Sequence, residues 1–188
     1  MRRSLFFFGI IVVFLYACSV RTPVPQEENC QNPDDLKEVT IVLREFTVKP
    51  GLSPKAEAAM AQCKYGAKNY LGHRGLFKSI KEDDNHAYEN PVLIVDAKLN
   101  DIRIVNTAAR VVGWIFVGRS HMKILATIYD PEGNKIAEKE LFGAPNVFSS
   151  AYSFGQNDTS LATRMGYLLG DYLIAESCKY SDPKTAKK

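Results

Sequence analysis

An apolar run near the amino terminus limits what this chain can become more than any other feature. Arg2 and Arg3 precede an unbroken apolar run, Leu5 to Tyr16, and the small residue Ala17 follows it. At about 12 residues, the run is too short to cross a bilayer core of about 30 Å as a helix. Positive charges, a short apolar core and a small residue are typical of a bacterial secretory signal. The sequence therefore predicts that residues 1–17 are an export signal.

The last four residues of this signal region form a motif. Leu15, Tyr16, Ala17 and Cys18 resemble the lipobox of bacterial lipoproteins, in which a branched residue and a small residue precede a cysteine. The resemblance implies that the Cys18 thiol is acylated, that the chain is cut before it, and that the new amino terminus is acylated too. Two or three acyl chains hold a protein firmly on a membrane, whereas one does so only marginally. The alternatives are an ordinary signal peptide and a retained apolar anchor.

The residue after the cysteine bears on which membrane holds the anchor. Lipoproteins kept at the inner membrane often have aspartate at this position, and this chain has Ser19. The resemblance therefore favours the outer membrane, on its periplasmic side, with the inner membrane as the alternative.

Composition divides the exported chain into three parts. Residues 18–37 are polar and contain Pro23, Pro25 and Pro33, which predicts a flexible tether behind the lipidated cysteine. Residues 38–178 are long enough for one domain, and residues 179–188 predict a disordered basic tail. The net charge is +3, of which Arg2 and Arg3 supply two charges, so the exported part has no basic field that would attract nucleic acid.

Hydrophobic patterns predict five strands and two helices. The strands are expected at residues 39–48, 76–80, 91–104, 119–130 and 135–142, with the last three in an antiparallel meander. Ile136 and Leu141 are the expected core contacts of the fifth strand. This pattern predicts an α+β fold, a mixed and mainly antiparallel sheet of about five strands with two helices packed on one face.

The two helices are expected on either side of the meander in sequence. Ser53 as N-cap and Pro54 as first residue predict a helix that runs to about Leu71, stopped by Gly72 and Gly75. Cys63 lies on its apolar face as a small core residue, and Gly66 indicates close packing on the sheet. The second helix follows Asp158 or Thr159. Its core face holds Leu161, Ala162, Met165, Leu168, Leu169, Tyr172, Leu173 and Ala175.

The most apolar stretch of the exported chain lies between the third and fourth predicted strands, where a hairpin tip is ordinarily polar. It includes Val112, Trp114, Ile115 and Phe116, and Trp114 is the single tryptophan of the chain. One interpretation is that the stretch extends the hairpin and folds onto the core. The other is an exposed apolar loop that docks on a partner or enters lipid.

The cysteines and histidines indicate little chemistry. Once Cys18 is acylated, three cysteines remain, and two of them are expected to pair in an oxidising compartment. No CxxC spacing is present, so the sequence predicts no zinc site and no cofactor. His73, His86 and His121 have no evident acidic or nucleophilic companion, and GxSxG and HExxH motifs are absent. The sequence therefore predicts a non-catalytic protein.

Three segments of the domain resemble a known family. They are the run from Arg110 to Ser120, the strand and turn from Ile128 to Gly133, and the last helix, rich in alanine, glycine and leucine. Over roughly residues 39–175 the chain resembles the bacterial lipoprotein family called domain of unknown function 4410. Its layout is also similar to the amino-terminal domain of the Tol-Pal protein TolB and to the periplasmic part of the curli-secretion lipoprotein. The resemblance implies a fold and a compartment, and no activity.

The implied layout also bears on the disulfide. With a right-handed first crossover and both helices antiparallel to the first strand, the last helix ends near the start of that strand. The layout thereby implies a disulfide between Cys30 and Cys178, which leaves Cys63 unpaired.

These expectations favour a lipid-anchored envelope protein with other envelope proteins as partners, an accessory or interaction subunit in assembly or secretion. The alternative is a periplasmic carrier of a small apolar ligand, and an enzyme is the least supported class. A closed pocket lined by Tyr70, Tyr172 and Phe154 would favour the carrier. A filled core with an exposed Trp114 would favour protein docking.

Overall fold

Five strands and two long helices form the fold, which a computed structural model describes over residues 33–82, 91–105, 109, 118–145 and 160–181. In chain order, the elements are a 3-10 helix (Pro33–Glu38), β1 (Thr40–Val48), α1 (Lys55–Arg74), β2 (Ser79–Lys81), β3 (Val92–Arg103), β4 (His121–Tyr129), β5 (Lys135–Gly143) and α2 (Leu161–Ser181).

The strands form one mixed sheet in the order β2-β1-β3-β4-β5. β1 pairs in parallel with β2 and with β3, whereas β3, β4 and β5 form an antiparallel meander. The predicted α+β fold, with a five-stranded mixed sheet and two helices packed against it, is confirmed. Parallel pairing is more extensive than the sequence indicated, because it accounts for two of the four strand pairings.

The main core lies between one face of the sheet and the two helices. Successive side chains of a strand point to opposite faces, so alternate residues of β1, β3 and β4 face the helices. The buried strand residues on this face include Ile41, Leu43, Leu93, Val95, Leu99, Ile124 and Ile128. On the opposite face, Val42, Val92 and Ile94 form a second, smaller cluster against Tyr129. Burial on both faces explains the continuous apolar run at the start of β3.

The first helix is longer than its sequence pattern predicts. Gly72 lies inside α1, and Gly75 ends the helix with a φ of 61° and an N–H that donates to the Leu71 carbonyl. A helical glycine without a positive φ costs only about 1 kcal/mol relative to alanine, so Gly72 does not stop the helix. At the other end the N-cap is Pro54, and Ser53 Oγ accepts only a long hydrogen bond of 3.4 Å from the Lys55 N–H.

Glycines bring the two helices into backbone contact. A Cβ on Gly66 of α1 would lie 2.7 Å from the carbonyl oxygen of Thr163 in α2, and a Cβ on Gly170 would lie 2.5 Å from the Tyr70 ring. The second contact lies further along the chain than the first in both helices, from Gly66 to Tyr70 in α1 and from Thr163 to Gly170 in α2, so the two helices run parallel. The prediction that Gly66 packs on the sheet is wrong, because its close neighbour is α2.

One predicted core contact of β5 is on the surface. Ile136 is 37% exposed, whereas Leu141 is 4% exposed and lies in the core as predicted. Ile136 and Leu141 are five residues apart, so alternation along a regular strand puts them on opposite faces of the sheet. Ala137, which pairs with Ile128, takes the inward position and packs against the core.

The folded body is longer at both ends than the sequence indicated. The 3-10 helix lies within the predicted tether, and its Leu36 is 0% exposed in the main core. α2 continues to Ser181, past the expected end at Cys178. A single buried leucine in a segment of six residues is too weak a pattern to predict an element. The described fold thus begins at Pro33 rather than at residue 38.

Candidate functional site

The start of the folded body and the end of α2 lie together at one end of the domain. The 3-10 helix packs against α2, and Leu36 is buried there. Cys178, close to the end of α2, is 7% exposed and disulfide-bonded. Cys18 and Cys30 lie outside the described residues, as does the partner of Cys178. The Cys30–Cys178 pairing and the acylation of Cys18 therefore stay predictions.

Cys63 is a free cysteine at the crossing of the two helices. Its side chain is 0% exposed, and its burial raises the pKa of the thiol to about 12. The thiolate is the nucleophile and the metal ligand in cysteine chemistry, so this thiol is inert at neutral pH. The predicted role as a small core residue is confirmed.

We expect Cys63 to resist alkylation until the domain unfolds. Near pH 8, a thiol with a pKa of about 12 holds roughly a thousandfold less thiolate than one with the ordinary pKa of 9.0. Iodoacetamide labelling with and without denaturant, followed by mass spectrometry of the Cys63 peptide, measures the difference. Rapid labelling of the native protein at Cys63 would show that the helix crossing opens readily.

The predicted docking stretch connects β3 to β4. Val112, Trp114, Ile115 and Phe116 lie outside the described residues, so the choice between a buried and an exposed stretch stays open. The residues on either side of it are fixed, because the N–H of buried Val105 donates to the hydroxyl of Ser120 over 2.9 Å. β3 pairs with the start of β1 at Val92 and has 12 residues, so this connection leaves the sheet about 40 Å from the start of β1.

His121 has an acidic companion that the sequence did not reveal. Its Nε2 lies 3.0 Å from Oδ2 of Asp101, and its ring stacks on Phe142 with 6.2 Å between centroids. The prediction that this histidine lacks an acidic partner is wrong. Strand pairing brings Asp101 of β3 beside His121 of β4 although 20 residues separate them in sequence. The pair links the two strands at the end of the hairpin.

A second polar network was also missed by sequence reasoning. Arg44 of β1 donates to Asp96 of β3 through Nε over 3.0 Å and through Nη2 over 2.7 Å. The Glu45 N–H donates to the same carboxylate over 3.1 Å, and the guanidinium lies 5.4 Å from the centre of the Tyr129 ring. Such bidentate pairs fix geometry, and this one joins two parallel strands next to the β1 bulge. The sequence signal was the lone carboxylate within the apolar start of β3.

The tyrosines that would line a carrier's pocket have other surroundings. Tyr172 is 1% exposed, so it packs against its neighbours and borders no water-sized space. The Tyr70 hydroxyl donates to Asp171, and its ring stacks on Tyr167 at 5.4 Å. Burial and the hydrogen bond to Asp171 raise the pKa of Tyr70 to about 12. Phe154 lies outside the described residues, and the other two do not support the carrier.

The described ranges hold neither a metal-binding cluster nor a membrane-spanning helix. Within them, no three histidine, cysteine, aspartate or glutamate side chains are grouped so that they could hold a metal ion. Neither α1 nor α2 combines the length and the apolar content that crossing a membrane would require.

Comparison with known proteins gives distant likenesses only. No protein-family model and no curated protein matches the chain. Solved structures that match include the PelC dodecamer from Paraburkholderia phytofirmans, 14% identical, covering 73% of this chain and 89% of that chain, with a TM-score of 0.44. A neuraminyllactose-binding hemagglutinin homologue from Helicobacter pylori is 6% identical, covering 84% of this chain and 89% of that chain, with a TM-score of 0.34. At such scores the chain takes no function from these structures.

Proposed function

We propose that the chain is a bacterial cell-envelope lipoprotein whose α+β domain acts as a non-catalytic accessory or interaction subunit in envelope assembly or secretion. The observation that carries the proposal is the sequence from Leu15 to Cys18, placed directly after a short apolar run and two arginines. In this proposal acylated Cys18 holds the domain at the outer membrane on its periplasmic side, and the domain binds other envelope proteins.

The cysteines of the folded domain support export. Cys178 is disulfide-bonded, and structural disulfides belong to oxidising compartments such as the periplasm. Cys63 is free, which leaves Cys18 and Cys30 as the other cysteines of the chain. An acylated Cys18 has no thiol to pair, so the proposal requires Cys30 to be the partner of Cys178. The acylation and the disulfide are therefore coupled claims.

The length of the tether supports protein docking rather than insertion into the anchoring membrane. The required Cys30–Cys178 disulfide would fix residue 30 to the domain, so the tether is residues 18–29, and these 12 residues reach at most about 40 Å when fully extended. As a flexible chain they span roughly 20 Å on average. The β3–β4 connection leaves the sheet about 40 Å from the tethered end. If that connection lay against the anchoring lipid, the tethered end would stand about 40 Å above the membrane, and the tether would be stretched to its limit. We therefore expect the tethered end to face the membrane and the connection to face the periplasm.

Mass spectrometry and membrane fractionation test the anchor. We expect the amino-terminal peptide of the protein purified from membranes to begin at Cys18 and to carry acyl chains. The Cys18→Ala variant is expected to remain an uncleaved precursor without added lipid. An unmodified Cys18 or an intact Met1 in the wild-type protein would refute the anchor.

Crosslinking in intact cells tests the interaction role. We expect specific crosslinked partners for the wild-type protein and their loss in the Trp114→Ala variant. Tyr65→Ala is the matched control, because Tyr65 is an aromatic residue that is 66% exposed and belongs to α1 rather than to the β3–β4 connection. Equal recovery of partners with both variants would remove the support for docking through Trp114.

A further inference from the structure

A polar cavity of about 740 Å³ lies on the face of the sheet opposite to the helices. Strands β3, β4 and β5 supply its floor, and the turn at residues 49–52 between β1 and α1 supplies a wall. Leu99 and Ile124 face the main core, so the adjacent Lys98 and Lys123 face the cavity. Its volume is within the range of small-molecule sites in proteins.

A β-bulge gives the cavity its arrangement of lysines. The register of β3 and β4 shifts between Leu99 and Asp101, so Asn100 is the extra residue, and it lines the cavity. The Lys49 N–H donates to the Leu99 carbonyl over 2.9 Å, which places Lys49 beside the bulge on the β1 side. Lys123 pairs with Asp101 on the β4 side. Lys49 just after β1, Lys98 within β3 and Lys123 near the start of β4 therefore line the cavity together with Asn100.

The lining of this cavity has three lysines and two carboxylates, so it carries one net positive charge. Glu140 lies 3.1 Å from Lys123, and Asp101 shares a hydrogen bond of 3.0 Å with His121. Within the described ranges, the side chains of Lys49 and Lys98 have neither an ion pair nor a hydrogen bond. Two ammonium groups without counterions at one concave surface favour a compact anion.

A second cavity differs from the first because its lysines are already paired with carboxylates. This cavity, of about 560 Å³, lies between α1 and β2 and is also lined by two lysines, Lys68 and Lys78. There Lys68 lies 2.5 Å from Glu82, and Lys78 lies 4.0 Å from Glu38. Both ammonium groups already have a carboxylate, so an anion would have to displace it. Of these two cavities in the described part of the chain, only the cavity at Asn100 has lysines, Lys49 and Lys98, without a carboxylate partner.

We infer that the cavity at Asn100 binds a phosphate-bearing ligand. The ammonium groups of Lys49 and Lys98 contact the phosphate oxygens, and the Asn100 side-chain amide donates a further hydrogen bond. Lysine binds phosphate as a point charge and needs no planar partner geometry, in contrast to the fork of arginine. The same chemistry recognises a phospholipid headgroup and a soluble phosphate ester. The inference does not depend on the lipid anchor proposed above.

Amide-resolved NMR of the full chain in a phosphate-free detergent tests the site with two probes, inorganic pyrophosphate and glycerophosphate. We expect shifts confined to the amides of Lys49, Gly51, Leu52, residues 98–101, Lys123 and Glu140. Lys98→Gln and Lys49→Gln should each weaken the apparent affinity about tenfold, as expected for a hydrogen bond to a charged group. Lys78→Gln, which removes the same charge from the other cavity, should leave the affinity unchanged.

The outcomes separate the sources of the phosphate. A stronger response to glycerophosphate assigns the site to a lipid headgroup, and a stronger response to pyrophosphate assigns it to a soluble phosphate compound. The absence of shifts with both probes would overturn the inference. Equal weakening by Lys78→Gln and Lys98→Gln would also overturn it, because binding would then follow net charge rather than the cavity.

Discussion

Gly166→Ala is expected to lower the free energy of unfolding by about 3 kcal/mol, because the added methyl group has no room between the helices. A Cβ on Gly166 would collide with the carbonyl oxygen of Cys63 and lie 2.6 Å from the Ala67 amide nitrogen. Both obstacles are backbone atoms, which cannot rotate away as a side chain can. The helices would have to separate, and Cys63 and Ala67, which are both fully buried, would lose contacts.

The gain in helix propensity works in the opposite direction and is smaller. Alanine is favoured over glycine by about 1 kcal/mol within a helix, so any net loss of stability in Gly166→Ala must come from packing. Gly72→Ala isolates the propensity effect, because Gly72 lies inside α1 and a Cβ added there would meet no other atom within 4 Å. We expect this control variant to be stabilised by about 0.5–1 kcal/mol.

Gly170→Ala provides an intermediate case. Its Cβ would meet the side chain of Tyr70 rather than backbone, so the ring can move and the cost should lie between those of the other two variants. Urea denaturation followed by circular dichroism gives all three values. An unfolding free energy for Gly166→Ala equal to that of the wild type would show that the helices are not in backbone contact.

Local patterns predicted most of the fold, and long-range pairing accounts for what they missed. The strands and helices were predictable because each depends on the spacing of apolar residues within its own segment, every second residue in a strand and every third or fourth in a helix. The parallel pairing of β1 with β3 was not, because it joins strands on either side of α1 and β2. Gly66 shows the same limit, since its neighbour Thr163 is almost 100 residues away in the chain, a distance no local pattern spans.

Of the candidate sites, too, those formed by neighbouring residues were predictable, and those assembled from distant strands were not. The lipobox that residues 15–18 resemble is a contiguous motif, so the lipidation of Cys18 could be predicted from four neighbouring residues, and it stays a prediction. The cavity at Asn100 is assembled by strand register and by a bulge, and neither Lys49 nor Lys123 is distinguished in sequence from other surface lysines. Asp96 was a local signal of a partly buried polar contact, because a carboxylate in an apolar strand needs a partner.

Cys178→Ser is expected to lower the free energy of unfolding by about 4 kcal/mol under oxidising conditions. A disulfide stabilises mainly by restricting the unfolded chain, and the effect grows slowly with the length of the loop that it closes. Pairing with Cys30 would close a loop of roughly 150 residues, for which the chain-entropy model gives about 4–5 kcal/mol. The 3-10 helix and α2 would then be held together by packing alone. Urea denaturation of the refolded full chain, with and without reductant, measures the loss.

The four cysteines allow matched controls for this measurement. Reductant should destabilise the wild type as much as Cys178→Ser does, and it should have no further effect on that variant. Cys63→Ala should keep the full response to reductant, because Cys63 is free. A wild-type stability that is insensitive to reductant would contradict a stabilising disulfide.

Variants of Cys18 and Cys30 identify the disulfide partner of Cys178, and they also test the acylation of Cys18. We expect Cys30→Ser to behave as Cys178→Ser and Cys18→Ser to keep the response to reductant. A thiol that carries lipid cannot also form a disulfide, so each result constrains both claims. If Cys18→Ser instead abolished the response, Cys18 would be the partner of Cys178, and its acylation would be excluded in the oxidised protein. The stability of the folded domain therefore reports on the chemistry of a residue at the far end of the tether.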